Sequence, residues 1–229
     1  MLTKLLIAAN VIVFAYEWFT GATTSNQVLL REGAMYGPAV AAGEWWRLFT
    51  AAFLHANLIH IATNMIALYM VGTFIEFEYG RVRMTILYLL SMIGSGLACF
   101  WFAYDAIEIG ASGAIFGLFG ALLAAGVRWG PRGRDLVRQS SGIIIVNLVL
   151  GFTVLSGVVS NAAHVGGLLV GFLAGMALFR VPPALVPVGV APLAEGVTYE
   201  SPEAIAQAHE AHVPEPAPVH PAPHDVAPP

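Results

Sequence analysis

Of the seven histidines, four lie in a proline-rich C-terminal stretch and three, His55, His60 and His164, sit within strongly apolar sequence. A polar or ionisable side chain is costly to keep in such surroundings and usually marks a working site. Ser112 opens another apolar run, and Asn64 follows His60 by one helical turn, so those two share a face. A serine beside a histidine, with further donors close by, is the minimal arrangement for acyl transfer. Neutral imidazole at His164 would take the hydroxyl proton of Ser112 as the oxygen attacks a peptide carbonyl. The negative oxygen then formed needs fixed donors, and the candidates are the backbone N–H of Ser112, the amide of Asn64 and the ring of His60. No carboxylate stands out as a third member. Cys99 is the only cysteine and no His-Glu-x-x-His occurs, so the expectation is a reaction without disulfide, metal or cofactor.

Whether Ser112 and His164 can meet depends on the elements that carry them. The chain has 229 residues, 58% hydrophobic and 10% charged, with a mean hydropathy of +0.75, whereas a soluble domain carries about 25% charged residues. A helix crosses the roughly 30 Å hydrocarbon core with about 20 apolar residues. Six segments qualify: 5–20, 49–75, 84–104, 110–127, 142–158 and 162–179. The last two are separated at Gly157 and Ser160-Asn161, since together they are too long for one span. Lys4 before the first apolar run resembles a signal peptide start, but no small-x-small cleavage site follows, and Glu17-Trp18-Phe19 suits an interfacial helix end.

Basic residues mark the cytoplasmic side. Six spans put both termini together, with Lys4, Arg81, Arg83, Arg128, Arg132, Arg134, Arg138 and Arg180; only Arg31 and Arg47 of the ten fall opposite. The expected topology is N-in, C-in. His55 and His60 then lie in the outer half of span two, and Ser112 and His164 open spans four and six, all at similar depth. Gly113 and Gly117 on span four face the same spacing of Gly167, Gly171 and Gly175 on span six, which would let the two backbones approach closely. Phe116, one turn below Ser112, would pack on the histidine ring.

Two domains are expected: a membrane domain over residues 1–181 and a disordered cytoplasmic tail over 182–229. The tail holds 12 of the 14 prolines and 6 of the 14 acidic residues, a composition that cannot bury a core. The net charge of −4 points neither to nucleic acid nor to a polybasic membrane-surface helix. The stretch 21–46 forms an external loop ending in Glu44-Trp45-Trp46-Arg47, whose aromatics alone would read as an interfacial belt.

Gly110-Ala111-Ser112-Gly113 resembles the Gly-x-Ser-Gly motif of rhomboid proteases, and the run from Ala163-His164 through Gly167 to Gly171 resembles their Ala-His-x-x-Gly-x-x-x-Gly motif. The segment from His55 through His60 to Asn64 is similar to the family's second-span pattern, and Trp46-Arg47 to its first-loop signature. The resemblance covers about residues 4–180 and implies an all-α, six-transmembrane-helix fold. It implies a Ser112–His164 catalytic dyad and an oxyanion hole of His60, Asn64 and Ser112. His55 would be a structural hydrogen-bonding residue, and Glu76, at the inner end of span two, would tie helices and loop together. Phe116 stands where some relatives carry tyrosine, so ring stacking survives and a phenolic hydrogen bond does not. The expected activity is that of an intramembrane serine endopeptidase, cleaving transmembrane segments of other membrane proteins in or just outside the outer leaflet. The expected home is a bacterial plasma membrane, since no Arg- and Ser-rich presequence is evident. The rival readings are a non-catalytic relative that binds membrane helices, and a transporter. Span centres without carboxylates and the lack of a visible inverted repeat disfavour the transporter.

Overall fold

A computed structural model describes residues 1–153 and 160–180. The expected tail, 182–229, lies outside the described residues, as does 154–158 of the expected fifth span. The described residues are helical with no strand; an isolated antiparallel bridge joins Met35 to Glu108. Helix α1, Leu2–Thr20, stops at Gly21, whose φ of 81° places it in the left-handed region that glycine enters without a Cβ penalty. The outer loop then folds into short helices α2 (Asn26–Glu32), α3 (Gly37–Ala41) and α4 (Arg47–Thr50).

Helix α5 runs Leu58–Phe102, with the side chain of Asn57 capping its first turn by accepting the His60 N–H at 2.9 Å. At 1.5 Å per residue a straight helix of this length would be about twice the thickness of a bilayer core. Gly80, at φ 76° and ψ 163°, breaks it into two arms. The second arm returns to the level where the first began, because Leu48, ahead of α5, lies where a side chain on Gly96 would go. These arms are the expected second and third spans. A single non-helical residue makes the turn, so helix runs up to Gly80 from both sides where a short connection was expected over 76–83. The second span also starts later than expected. Residues 49–57 form α4, a 3-10 turn and an extended segment, which puts His55 before the helix and not on it.

Helix α6, Ser112–Arg128, is buried on nearly every side, between α5 and α8 (Asn161–Leu178). A methyl group on Gly167 or Gly171 would run into the carbonyl of Gly113 or Gly117 respectively, so the two helices touch backbone to backbone, as the glycine spacing predicts. Helix α7, Arg134–Phe152, begins well before the expected position 142. Six of its first eight residues are polar, so this part of the helix lacks the apolar length of a span. Among the described residues three helices, α1, α5 and α8, are long and apolar enough to cross a membrane, and α6 is a shorter apolar helix. Bulky apolar side chains such as Ile12, Phe77, Leu169 and Leu173 point outward, exposed, where lipid and not water is the compatible surrounding.

The two ends of the bundle are chemically distinct. At one, the Glu76 carboxylate accepts the N–H groups of Leu2 and Thr3 at 2.8 and 2.9 Å and pairs with Arg81 at 3.3 Å. There too the Tyr79 hydroxyl donates to the Ala121 carbonyl, and Arg128 lies 6.0 Å from the Phe179 ring. The opposite end gathers the close of α1, the outer loop, the start of α5 and the starts of α6 and α8. Arg31 and Arg47 lie in that outer loop; the other basic residues belong to the Glu76 end or the helix starts leading from it.

Candidate active site

Two helix N-termini deliver the central pair. Ser112 is the first residue of α6, and His164 lies in the first turn of α8, whose cap, Ser160, accepts the Ala163 N–H through its hydroxyl at 3.3 Å. His164 Nε2 and Ser112 Oγ are 2.9 Å apart. The histidine is buried, and its Nδ1 has no hydrogen-bond partner among the described residues. When neutral His164 carries its proton on Nδ1, Nε2 presents a lone pair to the serine hydroxyl, the tautomer a general base requires. The Phe116 ring stacks on the imidazole with centroids 4.0 Å apart and planes 6° from parallel. A flat hydrocarbon face therefore fixes the ring plane that a carboxylate on Nδ1 would otherwise fix.

Beside Ser112, the chain passes through Gly110 at φ 115°. The Gly110 N–H donates to the Ala51 carbonyl at 2.9 Å, and a Cβ on this residue would lie 2.8 Å from both Cε1 and Nε2 of His60. The ring of His60 thus reaches the backbone just ahead of the serine. Its Nδ1 accepts the Ala56 N–H at 3.4 Å, so the neutral ring carries its proton on Nε2, the atom that faces Gly110. Asn64 is buried and gives one amide hydrogen to the His60 carbonyl at 2.9 Å; the second remains available. The Ser112 N–H, in the first turn of α6, has no acceptor within its own helix. The His60 and Asn64 side chains therefore both approach Gly110, two residues ahead of the Ser112 N–H.

His55 is fully buried, donates from Nδ1 to the Phe53 carbonyl at 3.2 Å, and sets its ring edge-on to His60 at 5.0 Å. Arg47 is buried and donates to the carbonyls of Leu30 and Ala34 at 2.7 and 2.8 Å and to Glu44 at 2.7 Å, with its guanidinium 4.7 Å from the Trp46 ring. Trp46 and Arg47 are thus the loop's internal fasteners. Glu76 stands at the other end of the bundle from Ser112, and its partners are the start of α1 and Arg81, with none in the outer loop.

Three contributors escaped sequence reasoning. Glu17 is fully buried and both its oxygens accept the His55 N–H, at 3.0 and 3.1 Å, where an interfacial helix end was expected. An acid inside an apolar run was the available signal. Ser160, capping α8, also lies 3.7 Å from Cys99. Glu108, in the loop leading to Gly110, has its carboxyl pushed above the usual carboxylate range by burial, partly offset by the neighbouring Ser160 hydroxyl. Neither of the last two carries a pattern readable without the fold.

A family model described as the Rhomboid domain matches residues 42–181. The chain is 39% identical over 182 residues to Rhomboid protease GluP of Bacillus subtilis (strain 168), a match covering 77% of this chain and 34% of that protein. It is 30% identical over 206 residues to Rhomboid protease AarA of Providencia stuartii, covering 79% of this chain and 73% of that one. It is 36% identical over 160 residues to RHOMBOID-like protein 6, mitochondrial, of Arabidopsis thaliana, covering 69% and 52% respectively. The match to the Bacillus protein thus spans about a third of that relative's length. Apolar helices turned outward, glycine-lined helix contacts and these alignments lead to one conclusion: the chain is a membrane protein that belongs to the rhomboid family.

Proposed function

We propose that this chain is an intramembrane serine endopeptidase working through a Ser112–His164 dyad. The observation that carries the reading is the 2.9 Å contact between hydroxyl and imidazole, made by two helix N-termini at one end of an otherwise apolar bundle. In the proposed reaction, His164 Nε2 takes the proton of Ser112 as Oγ attacks the scissile carbonyl. The oxyanion is held by the Ser112 N–H, the Asn64 amide and the Nε2–H of His60. Imidazolium then returns the proton to the departing amine, leaving an acyl-serine. Water enters, gives a proton to the same nitrogen and releases the acid, restoring both side chains.

The substrate class follows from the setting. A membrane helix has every backbone group bonded internally, so its carbonyl becomes attackable only after local unwinding. Segments with glycine, proline or other helix-weakening residues are therefore the proposed substrates, with small side chains at the cleaved bond and access beside α7. Six spans with both termini cytoplasmic, in a bacterial plasma membrane and with the site toward the outer face, complete the proposal. The membrane domain would cover 1–181 and the proline-rich tail 182–229 would be a separate cytoplasmic segment. The names of the Bacillus and Providencia relatives support proteolysis. The alternative, helix binding without cleavage, is weakened by the presence of both reacting groups.

The test is a fluorophosphonate probe applied to the full-length protein in membranes, beside a transmembrane reporter. Ser112→Ala should lose both labelling and cleavage while remaining inserted. Cleavage at the original rate in that variant would refute the dyad, and an unlabelled, inactive parent chain would favour the binding protein.

A further inference from the structure

Helix α1 gives no side chain to the reacting pair or the three donors, yet its last turn buries an acid against the segment that launches α5. We propose that Glu17 is a positioning residue for the oxyanion donor His60, acting from α1 through the backbone of His55. The inference rests on the proteolytic reading above.

The chain from Leu54 to Asn57 is extended and irregular, with Leu54 at ψ 145° and Asn57 at φ −165°, ψ 173°. The Leu54 N–H closes the preceding 3-10 turn on the Ala51 carbonyl at 3.3 Å; the N–H groups that follow have left that turn, and a buried N–H without a partner is unfavourable. Glu17 answers this at one point: both carboxylate oxygens converge on the His55 N–H at 3.0 and 3.1 Å. The next links are equally specific. His55 Nδ1 is tied to the Phe53 carbonyl, its ring edge rests on His60 at 5.0 Å, and the N–H of the following residue, Ala56, donates to His60 Nδ1. That last bond decides which nitrogen of His60 carries the proton, and hence whether Nε2–H faces Gly110 as a donor. Leu54 packs with Ala22, Leu29 and Ala34 in an apolar cluster that also takes in Val13 of α1 and Ile109, the residue before Gly110. Glu17 is thus the polar fastener, and this cluster the apolar one, joining α1 to the floor of the site. Without the fastener, the Ala56 N–H and the His60 ring lose their common register and the donor swings off line.

The experiment uses the full-length protein in membranes and reads labelling by fluorophosphonate as both an end point and a rate. The end point counts competent serines; the rate per competent serine reports the oxyanion site. Glu17→Met should lower that rate and kcat together by roughly tenfold, less than the 100- to 1000-fold of losing a donor outright, with KM unchanged. Glu17→Gln keeps an acceptor for the His55 N–H and should recover most of the rate. If Glu17→Met is not recovered in membranes, Glu17→Ala takes its place in the same assay. A fall confined to the end point, with the rate per competent serine unaltered, would assign Glu17 to stability alone and overturn the inference. So would a Glu17→Gln variant as slow as Glu17→Met. Failure of the parent protein to label at all is a separate result, and it strikes the proteolytic reading.

Discussion

Gly110 carries two constraints at once. Its φ of 115° is a conformation that L side chains rarely adopt, and its missing Cβ is the space into which His60 brings Nε2. The first glycine of Gly-x-Ser-Gly is therefore a turn residue that also seats the ring of the proposed oxyanion donor His60. Gly110→Ala should displace the His60 ring and lower kcat by on the order of 100-fold, while the stoichiometry of slow fluorophosphonate labelling shows that Ser112 is still presented. A variant with parental kcat would mean that His60 is no donor to the reaction. At this scale the sequence was most legible where chemistry and cost coincide: polar groups in apolar runs, namely Ser112, His164, His60 and Asn64, were visible because lipid penalises them. Glu17 met the same criterion but lay beside Trp18 and Phe19 at a helix end, where a solvated acid is equally natural, and only its bonds to His55 separate the two cases.

Between elements, the separation of α6 and α8 is set by glycines, and it fixes the distance between Ser112 and His164. A methyl group at Gly171 would strike the Gly117 carbonyl, whereas one at Gly142 on α7 meets nothing within 4 Å. Gly171→Ala should therefore cost roughly 1–3 kcal/mol by overpacking and reduce turnover as well. Gly142→Ala should be neutral or slightly stabilising, by up to about 1 kcal/mol, through helix propensity. Thermal unfolding in detergent and reporter cleavage separate the two. The loop before Gly110 gives a pH-dependent case. Burial raises the Glu108 carboxyl in the folded state, so the unfolded chain ionises first and stability falls as pH climbs above the ordinary carboxylate range. Glu108→Gln removes that dependence. Its melting temperature should exceed the parent's at ~pH 7, with the difference closing toward ~pH 4, and a gap independent of pH would contradict the burial argument. Glycine periodicity foretold the α6–α8 contact because spacing alone encodes it. The start of α7 was hidden because its leading turns, Arg134 to Ser141, have only Leu136 and Val137 as apolar residues, and the start of α5 because the apolar run 49–57 reads alike as helix or as extended chain.

Across the described residues, basic side chains and the Ser112–His164 pair sort to opposite ends. Lys4, Arg81 and Arg128 gather with Glu76 and Tyr79 at one end, while Ser112, His164 and the Arg47-fastened loop occupy the other. If the basic end faces the cytoplasm, as retention of Lys and Arg requires, an outward-facing site is a consequence of the fold and no independent assumption. Cys99 is the only cysteine, so a Cys99→Ser background permits single-cysteine mapping with a membrane-impermeant maleimide in intact cells. Cysteines replacing Arg31 or Trp45 should label from outside. Those replacing Lys4, Arg83 or Arg132 should label only after the membrane is opened. The pattern tests both parts of the topology, because an odd number of crossings between Lys4 and Arg132 would put those two positions on opposite sides. Outside labelling at Arg132 with protection at Lys4 would remove one span from the proposed six. Labelling at Lys4, Arg83 and Arg132 with protection at Arg31 would turn the molecule over and present the serine to the cytoplasm, where the substrates would have to be sought among helices unwinding at the inner leaflet.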